Sequence, residues 1–185
     1  MIDRWTKAFR EVNEEVRLIL EDNGDDILQK QIDAGSWNIL EHIDHLSKTN
    51  RSYFPIFRQV LSGKYQRPFI GQFDFLVSYL GRVILKSVLP DNPKKSKTLT
   101  VWYPDKTWNN KDVWKQFSEQ QQYILESIPA LLPHMDRKAV IHSPGSRVVV
   151  YSLEASMDIL LAHEQRHLVQ IREILGKQKG SEMYK

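Results

Sequence analysis

The chain has 185 residues, 26 lysines and arginines against 23 acids, a net charge of +3 and no cysteine. Absence of cysteine excludes disulfides, thiolate metal ligands and a cysteine nucleophile together, so any metal must be held by nitrogen and oxygen. Basic residues are scattered among acids, with Lys94-Lys95-Ser96-Lys97 as the one basic cluster, a pattern that excludes a dedicated nucleic-acid face. The length fits one domain over residues 1–185, with a polar tail from about 177. Met1-Ile2-Asp3-Arg4-Trp5 opens into an amphipathic pattern rather than an apolar leader, and no stretch is long and apolar enough to span a bilayer. The expected location is cytoplasmic, with neither nucleic acid nor membrane as partner.

In chain order, the first helical pattern runs from about Asp3 to Glu21 and stops at Asn23-Gly24-Asp25-Asp26. The second runs from about Asn38 to Leu61, where Asn38 and Glu41 have the spacing of a capping box and Pro55 is expected to bend the helix. A shorter apolar segment, Asp74 to Leu89, reads as another helix. The connection from Pro90 to Thr107 is the least regular part of the chain, with Leu99 to Tyr103 as a short extended piece. A third long helix runs from about Asn110 to Leu132, with Asp112 near its positive end and Pro133 as its stop. Ala139 to Ser146 contains a turn, and Leu153 to Leu175 is a fourth long helix that Gly176 is expected to end. Few segments alternate with period two, so the fold class is all-α: a four-helix bundle with a long crossover connection.

His163-Glu164-Gln165-Arg166-His167 lies within that last helix and spells H-E-x-x-H. Residues i and i+4 share one helical face, so both imidazoles can reach one metal ion. Ile159, Leu160, His163, His167, Ile171 and Ile174 fall within an arc of roughly 120°, which turns the histidines inward, with Glu164 on the margin of the arc. An unpaired buried polar group costs about 1–3 kcal/mol, and a shared metal would satisfy both rings; hydrogen-bonded core histidines are the alternative. A bundle places the missing ligand on a facing helix. The second helix offers His42 and His45, of which His42 lies nearer the middle of the apolar arc formed by Leu46, Tyr53 and Val60.

Trp37, Glu41, His45 and Leu46 fit the pattern W-S-x-x-E-x-x-x-H-L, with Asn38 in place of its serine, and His163, His167, Gln170 and Ile171 fit H-x3-H-x-x-Q-I. In these motifs, and in the Pro144-Gly145 turn, the chain resembles the DinB-like family of metal-binding four-helix bundles. The resemblance implies a metal triad of His45, His163 and His167 completed by water, with His42 as a supporting or core residue. A nitrogen-rich site of this kind suits one divalent transition-metal ion, zinc or nickel before magnesium or calcium. It also implies a metal-dependent enzyme acting on a small molecule: a hydrolase, or a transferase of a low-molecular-weight thiol such as bacillithiol. Glu164 is the candidate catalytic base, and equally a candidate for an ordinary helix-face carboxylate. The partners considered are the small-molecule substrate, a low-molecular-weight thiol and a second copy of the chain.

Three other readings were weighed. A zincin peptidase of the metzincin type needs glycine and histidine downstream of the motif, where this chain has Gln170 and Glu173. A di-iron bundle needs a second E-x-x-H, but the second helix spaces Glu41 and His45 by four. A non-catalytic bundle that binds metal or ligand stays open, because a fold does not fix a function. His142 beside the turn, His134 after Pro133, and Trp102, Tyr103 and Trp108 in the crossover are secondary candidates for the walls of a site.

Overall fold

The computed structural model describes residues 2–94, 97–106 and 109–182, so Trp108 and the Lys95-Ser96 part of the basic cluster lie outside the described residues. The helices are α1 (Ile2–Asp22), α2 (Asp25–Leu28), α3 (Ile39–Leu61), α4 (Asp74–Val88), α5 (Asn110–Asp136) and α6 (Leu153–Glu182); a hairpin of β1 (Val140–Ser143) and β2 (Ser146–Ser152) joins the last two.

The four long helices form the expected bundle. Each of α3 and α1 packs against both α5 and α6, so the order around the bundle is α1, α5, α3, α6. On α1, Trp5, Phe9, Val12, Val16 and Ile19 recur at helical spacing and are all buried, and the Trp5 indole donates to Asp158 on α6 at 2.8 Å. The core continues through Ile39, Ile43, Leu46 and Phe57 of α3, Phe117, Ile124 and Ile128 of α5, and Met157, Leu160 and Ile171 of α6. The start of α3 is the predicted capping box: the Asn38 side chain accepts from the Glu41 amide at 2.9 Å, and the Glu41 carboxylate accepts from the Asn38 amide at 2.8 Å. That pins the first turn of α3, which carries His42, with His45 one turn further on.

Several boundaries differ from expectation, each for a tertiary reason. Helix α5 does not stop at Pro133; it runs through Pro129 and Pro133 to Asp136. Leu131 and Met135 are buried there, and that burial offsets the backbone bonds the prolines delete. Gly176 does not stop α6. The helix continues, and buried Gln178 donates to the carbonyls of Ile27 and Lys30 at 3.2 and 3.1 Å, tying the helix end to α2. Leu99 to Tyr103 contains a turn of 3-10 helix, Thr100–Trp102, rather than an extended piece. The turn at Pro144-Gly145 joins an antiparallel hairpin pairing Val140 with Ser152 and Ile141 with Tyr151. Its strands show no polar alternation because Val150 and Tyr151, on opposite faces, are both buried. Helix α4 lies outside the bundle, against α6 and β2.

Candidate metal centre

The neighbouring positions of α3 and α6 bring the first turns of one against the middle of the other, and His45 meets His163 and His167 there. One nitrogen from each of these three rings lies within 4.8 Å of the others. His163 Nε2 is 3.3 Å from His45 Nε2 and 3.2 Å from His167 Nε2. Two nitrogens bound at 2.0–2.1 Å to one ion with tetrahedral angles stand about 3.3–3.4 Å apart, so these separations fit a shared transition metal.

The outer nitrogens explain how the inner ones are aimed. His45 Nδ1 donates to the Trp102 carbonyl at 2.8 Å, which leaves the Nε2 lone pair free to face the other rings. His167 Nδ1 lies 2.8 Å from His42 Nδ1, so His42 supports His167 from behind. His163 Nδ1 is buried without a partner among the described residues. The helical wheel favours His42, which is buried, and its ring meets the outer nitrogen of His167 rather than the group of three. Trp37 covers the group, its ring centroid 4.8 Å from that of His45 and 6.3 Å from that of His167.

Burial, and repulsion among the rings, keep the site uncharged. His163 is pushed down to about 3 and His42 to about 4, chiefly by burial, and His167 is well below the ordinary imidazole value for the same reason. Burial also lowers His45, partly offset by its hydrogen bond to the Trp102 carbonyl. Neutral imidazole is the form that binds metal.

A cavity of about 510 Å³ opens onto the rings, large enough for a small organic molecule. Arg166, Thr98 and Lys177 contribute to its wall. Arg166 is buried and donates to the carbonyls of Leu89 and Asn92 through Nη1 and of Lys94 through Nη2, at 2.7–2.8 Å, and so straps the crossover across the site. At the other end of the crossover, Lys48 donates to the Tyr103 carbonyl and the Asp105 amide donates to Asp44. The Trp102 ring rests on the hairpin tip. A Cβ on Gly145 would stand 2.8 Å from Trp102 Cη2 and 2.6 Å from Leu99 Cδ1, so the close approach requires glycine.

Glu164 stands elsewhere. It is fully buried rather than marginal, and its Oε1 accepts from Asn50 of α3 at 2.7 Å and from Gln121 of α5 at 2.6 Å. It points into the bundle interior and does not line the cavity. Burial raises its carboxyl to about 7, against the lowering effect of the two amides. Among the secondary candidates, Trp102 contributes its carbonyl and Tyr103 lies 6.2 Å from the Trp37 ring. His142 bonds to Ser143 on the hairpin and does not line the cavity, and His134 sits in the last turn of α5.

No motif points to Asn50 or Gln121, and none assigns a role to Arg166. Asn50 carried a signal, being a polar residue four positions after Leu46 and seven before Phe57 on the core face of α3. Nothing local marked the Trp102 carbonyl.

No curated protein and no solved structure matches the chain. The model of one family matches residues 8–171, a span that holds all three converging histidines and both flanking motifs. By that match, the chain belongs to the DinB superfamily.

Proposed function

We propose that His45, His163 and His167 hold one divalent transition-metal ion, zinc or nickel, and that the protein transfers a low-molecular-weight thiol to a small electrophile in the cytoplasm. The observation that supports the metal is the approach of His45 Nε2 and His167 Nε2 to His163 Nε2 at 3.3 and 3.2 Å, with the proton of His45 placed on its far nitrogen. When bound, such an ion supplies Lewis acidity that favours the thiolate over the thiol.

The orientation of Glu164 favours thiol transfer over hydrolysis. Water needs a base beside the metal to reach useful reactivity, whereas a thiol ionises near pH 8.5 and needs less help. The carboxylate that the H-E-x-x-H spacing offers for that role is turned toward Asn50 and Gln121. In the overall reaction the thiol sulfur forms a bond to an electrophilic carbon, the leaving group departs with its electron pair, and the thiol proton passes to solvent. The chain's own contribution is to keep four imidazoles neutral, to orient His45 through the Trp102 carbonyl and His167 through His42, and to screen the reacting atoms beneath Trp37 and the strapped crossover.

Metal content of the purified protein, measured with bacillithiol conjugation to a panel of alkyl halides and epoxides, tests this. About one zinc or nickel per chain is expected. Histidine-to-alanine changes at 163 and 167 together abolish binding. Full metal occupancy in that double variant would sink the site; a loaded protein that conjugates no thiol would leave a metal-binding bundle of another function.

A further inference from the structure

A second cavity, of about 580 Å³, lies between the end of α3 and the hairpin and shares no residue with the histidine cavity. A chain reversal after α3 builds it. Gly63 takes a positive φ of 68°, a conformation that favours glycine, and the amides of Lys64 and Tyr65 both donate to the Gln59 carbonyl, at 2.9 and 3.0 Å. The chain thus folds back beside the helix. Lys64 and Tyr65 join Pro55 and Ile56 of α3 in the lining, and His142 and Arg147 of the hairpin complete it. Tyr65 ties the two parts together: its hydroxyl accepts from the His142 amide at 2.8 Å, and the two rings lie 5.9 Å apart.

Among the described residues this lining carries two cations and no carboxylate, and neither Lys64 nor Arg147 has an ion-pair partner. Carboxylates do partner Lys48, Arg67 and Arg172 elsewhere on the surface. Burial pushes the Tyr65 hydroxyl up, and the His142 amide and the charge of Arg147 oppose that push, which sets Arg147 near the phenol. The hydroxyl has accepted one bond and keeps its proton to donate. Because a carbonyl only accepts, the His142 ring donates through Nδ1 to the Ser143 carbonyl at 2.9 Å, which leaves Nε2 for a ligand. Single unpaired cations are ordinary on a protein surface. Two of them, with a hydroxyl donor and an imidazole around one cavity, are complementary to a compact anion of more than one charge.

We propose that this cavity binds the phosphate group of a small phosphomonoester, held by Arg147, Lys64 and the Tyr65 hydroxyl, with Pro55 and Ile56 covering the organic part. The guanidinium fork takes two phosphate oxygens and the ammonium takes the third. A monoester dianion carries about −2, so it neutralises both cations, whereas a monocarboxylate leaves one of them unmatched. Toward a phosphate oxygen, His142 Nε2 serves either as acceptor from P–OH or, when protonated, as a further donor. The volume falls within the about 300–1,000 Å³ of small-molecule sites.

Phenyl phosphate titrated into the full chain at constant ionic strength, from about 0.1 to about 20 mM and followed by NMR, tests the proposal. The side-chain amide signals of Gln59 and Gln66, which also line the cavity, are expected to shift and to saturate, with the midpoint below about 5 mM. Inorganic phosphate shifts the same signals at lower affinity, since it lacks the ring that Pro55 and Ile56 cover. Arg147→Gln and Lys64→Gln each weaken binding about tenfold, and the two together abolish it. Both side chains are exposed, so circular dichroism stays that of the wild type. Shifts that never saturate, shifts that survive the double change, or benzoate binding as tightly as phenyl phosphate would each overturn the proposal. Shifts centred on His163 and His167 would put the phosphate at the histidine cluster and overturn it too, as would capture by phosphatidic acid vesicles with no response to the soluble ester.

Discussion

His45 and His42 stand three positions apart on α3 and do different work, because they present different atoms to the site. His45 turns Nε2 toward His163, whereas His42 meets the outer nitrogen of His167. On the proposed assignment, removal of His45 deletes a ligand, whereas His42→Ala leaves the three inner nitrogens and loosens one ring. Isothermal titration with zinc is expected to show His42→Ala weakened about 10–100-fold and His45→Ala weakened well beyond that. The reverse ranking would return the ligand role to His42. Glu164 supports a second comparison. Its folded carboxyl titrates at about 7 and an unfolded one near 4.5, so the stability it contributes is complete below 4.5 and lost as pH rises through 7. Glu164→Gln has no charge to bury, and its amide oxygen can still accept from Asn50 and Gln121. Urea unfolding of metal-free protein should find the variant more stable than wild type at pH 8, by on the order of 2–3 kcal/mol, with the gain gone at pH 4. Thiol conjugation is expected to persist in the variant. A loss of 10²–10⁴-fold would identify Glu164 as the base and favour hydrolysis.

The crossover and the hairpin act on the site through one carbonyl. The hairpin tip touches Leu99 and Trp102 at Gly145, and Trp102 supplies the acceptor that orients His45. Any side chain at 145 pushes the Trp102 ring away and, with it, the backbone that carries the carbonyl. Gly145→Val is therefore expected to lower zinc affinity by about tenfold, the lower end for loss of an outer hydrogen-bond partner, while helix content stays constant. Unchanged affinity in the folded variant would mean that Arg166 and Asp44, which tie the crossover to α6 and α3, hold Trp102 in place without the hairpin.

Across the whole molecule, the hairpin is joined to the bundle by a buried hydroxyl pair. Tyr53 of α3 and Tyr151 of β2 meet at 2.7 Å, and burial pushes Tyr151 up to about 12 and raises Tyr53 well above the ordinary phenol value. An unfolded chain releases these protons near pH 10, so the stability they contribute is complete below 10 and falls as pH rises toward 12. Two retained protons correspond to a loss of about 2–3 kcal/mol per pH unit in that window, and Tyr53→Phe should lose about half as much. Equal slopes for the two proteins in urea titrations from pH 9 to 11 would contradict the assignment.

The helical periods, the Asn38 and Glu41 cap, and the H-x3-H spacing are local quantities, and for that reason the sequence alone determined the bundle, the start of α3 and the two histidines that share a face of α6. Motif resemblance, rather than periodicity, singled out His45, since the wheel ranks burial and not the direction of a ring nitrogen. What the chain could not announce locally was decided by partners distant in sequence. Burial of Leu131 and Met135 carries α5 through Pro133, and the contact of Gln178 with α2 carries α6 through Gly176. The burial of Glu164 was decided in the same way. Cover from α3 and α5 removes the margin on which a helical wheel would place it, and the amides of Asn50 and Gln121 fix where its carboxylate points.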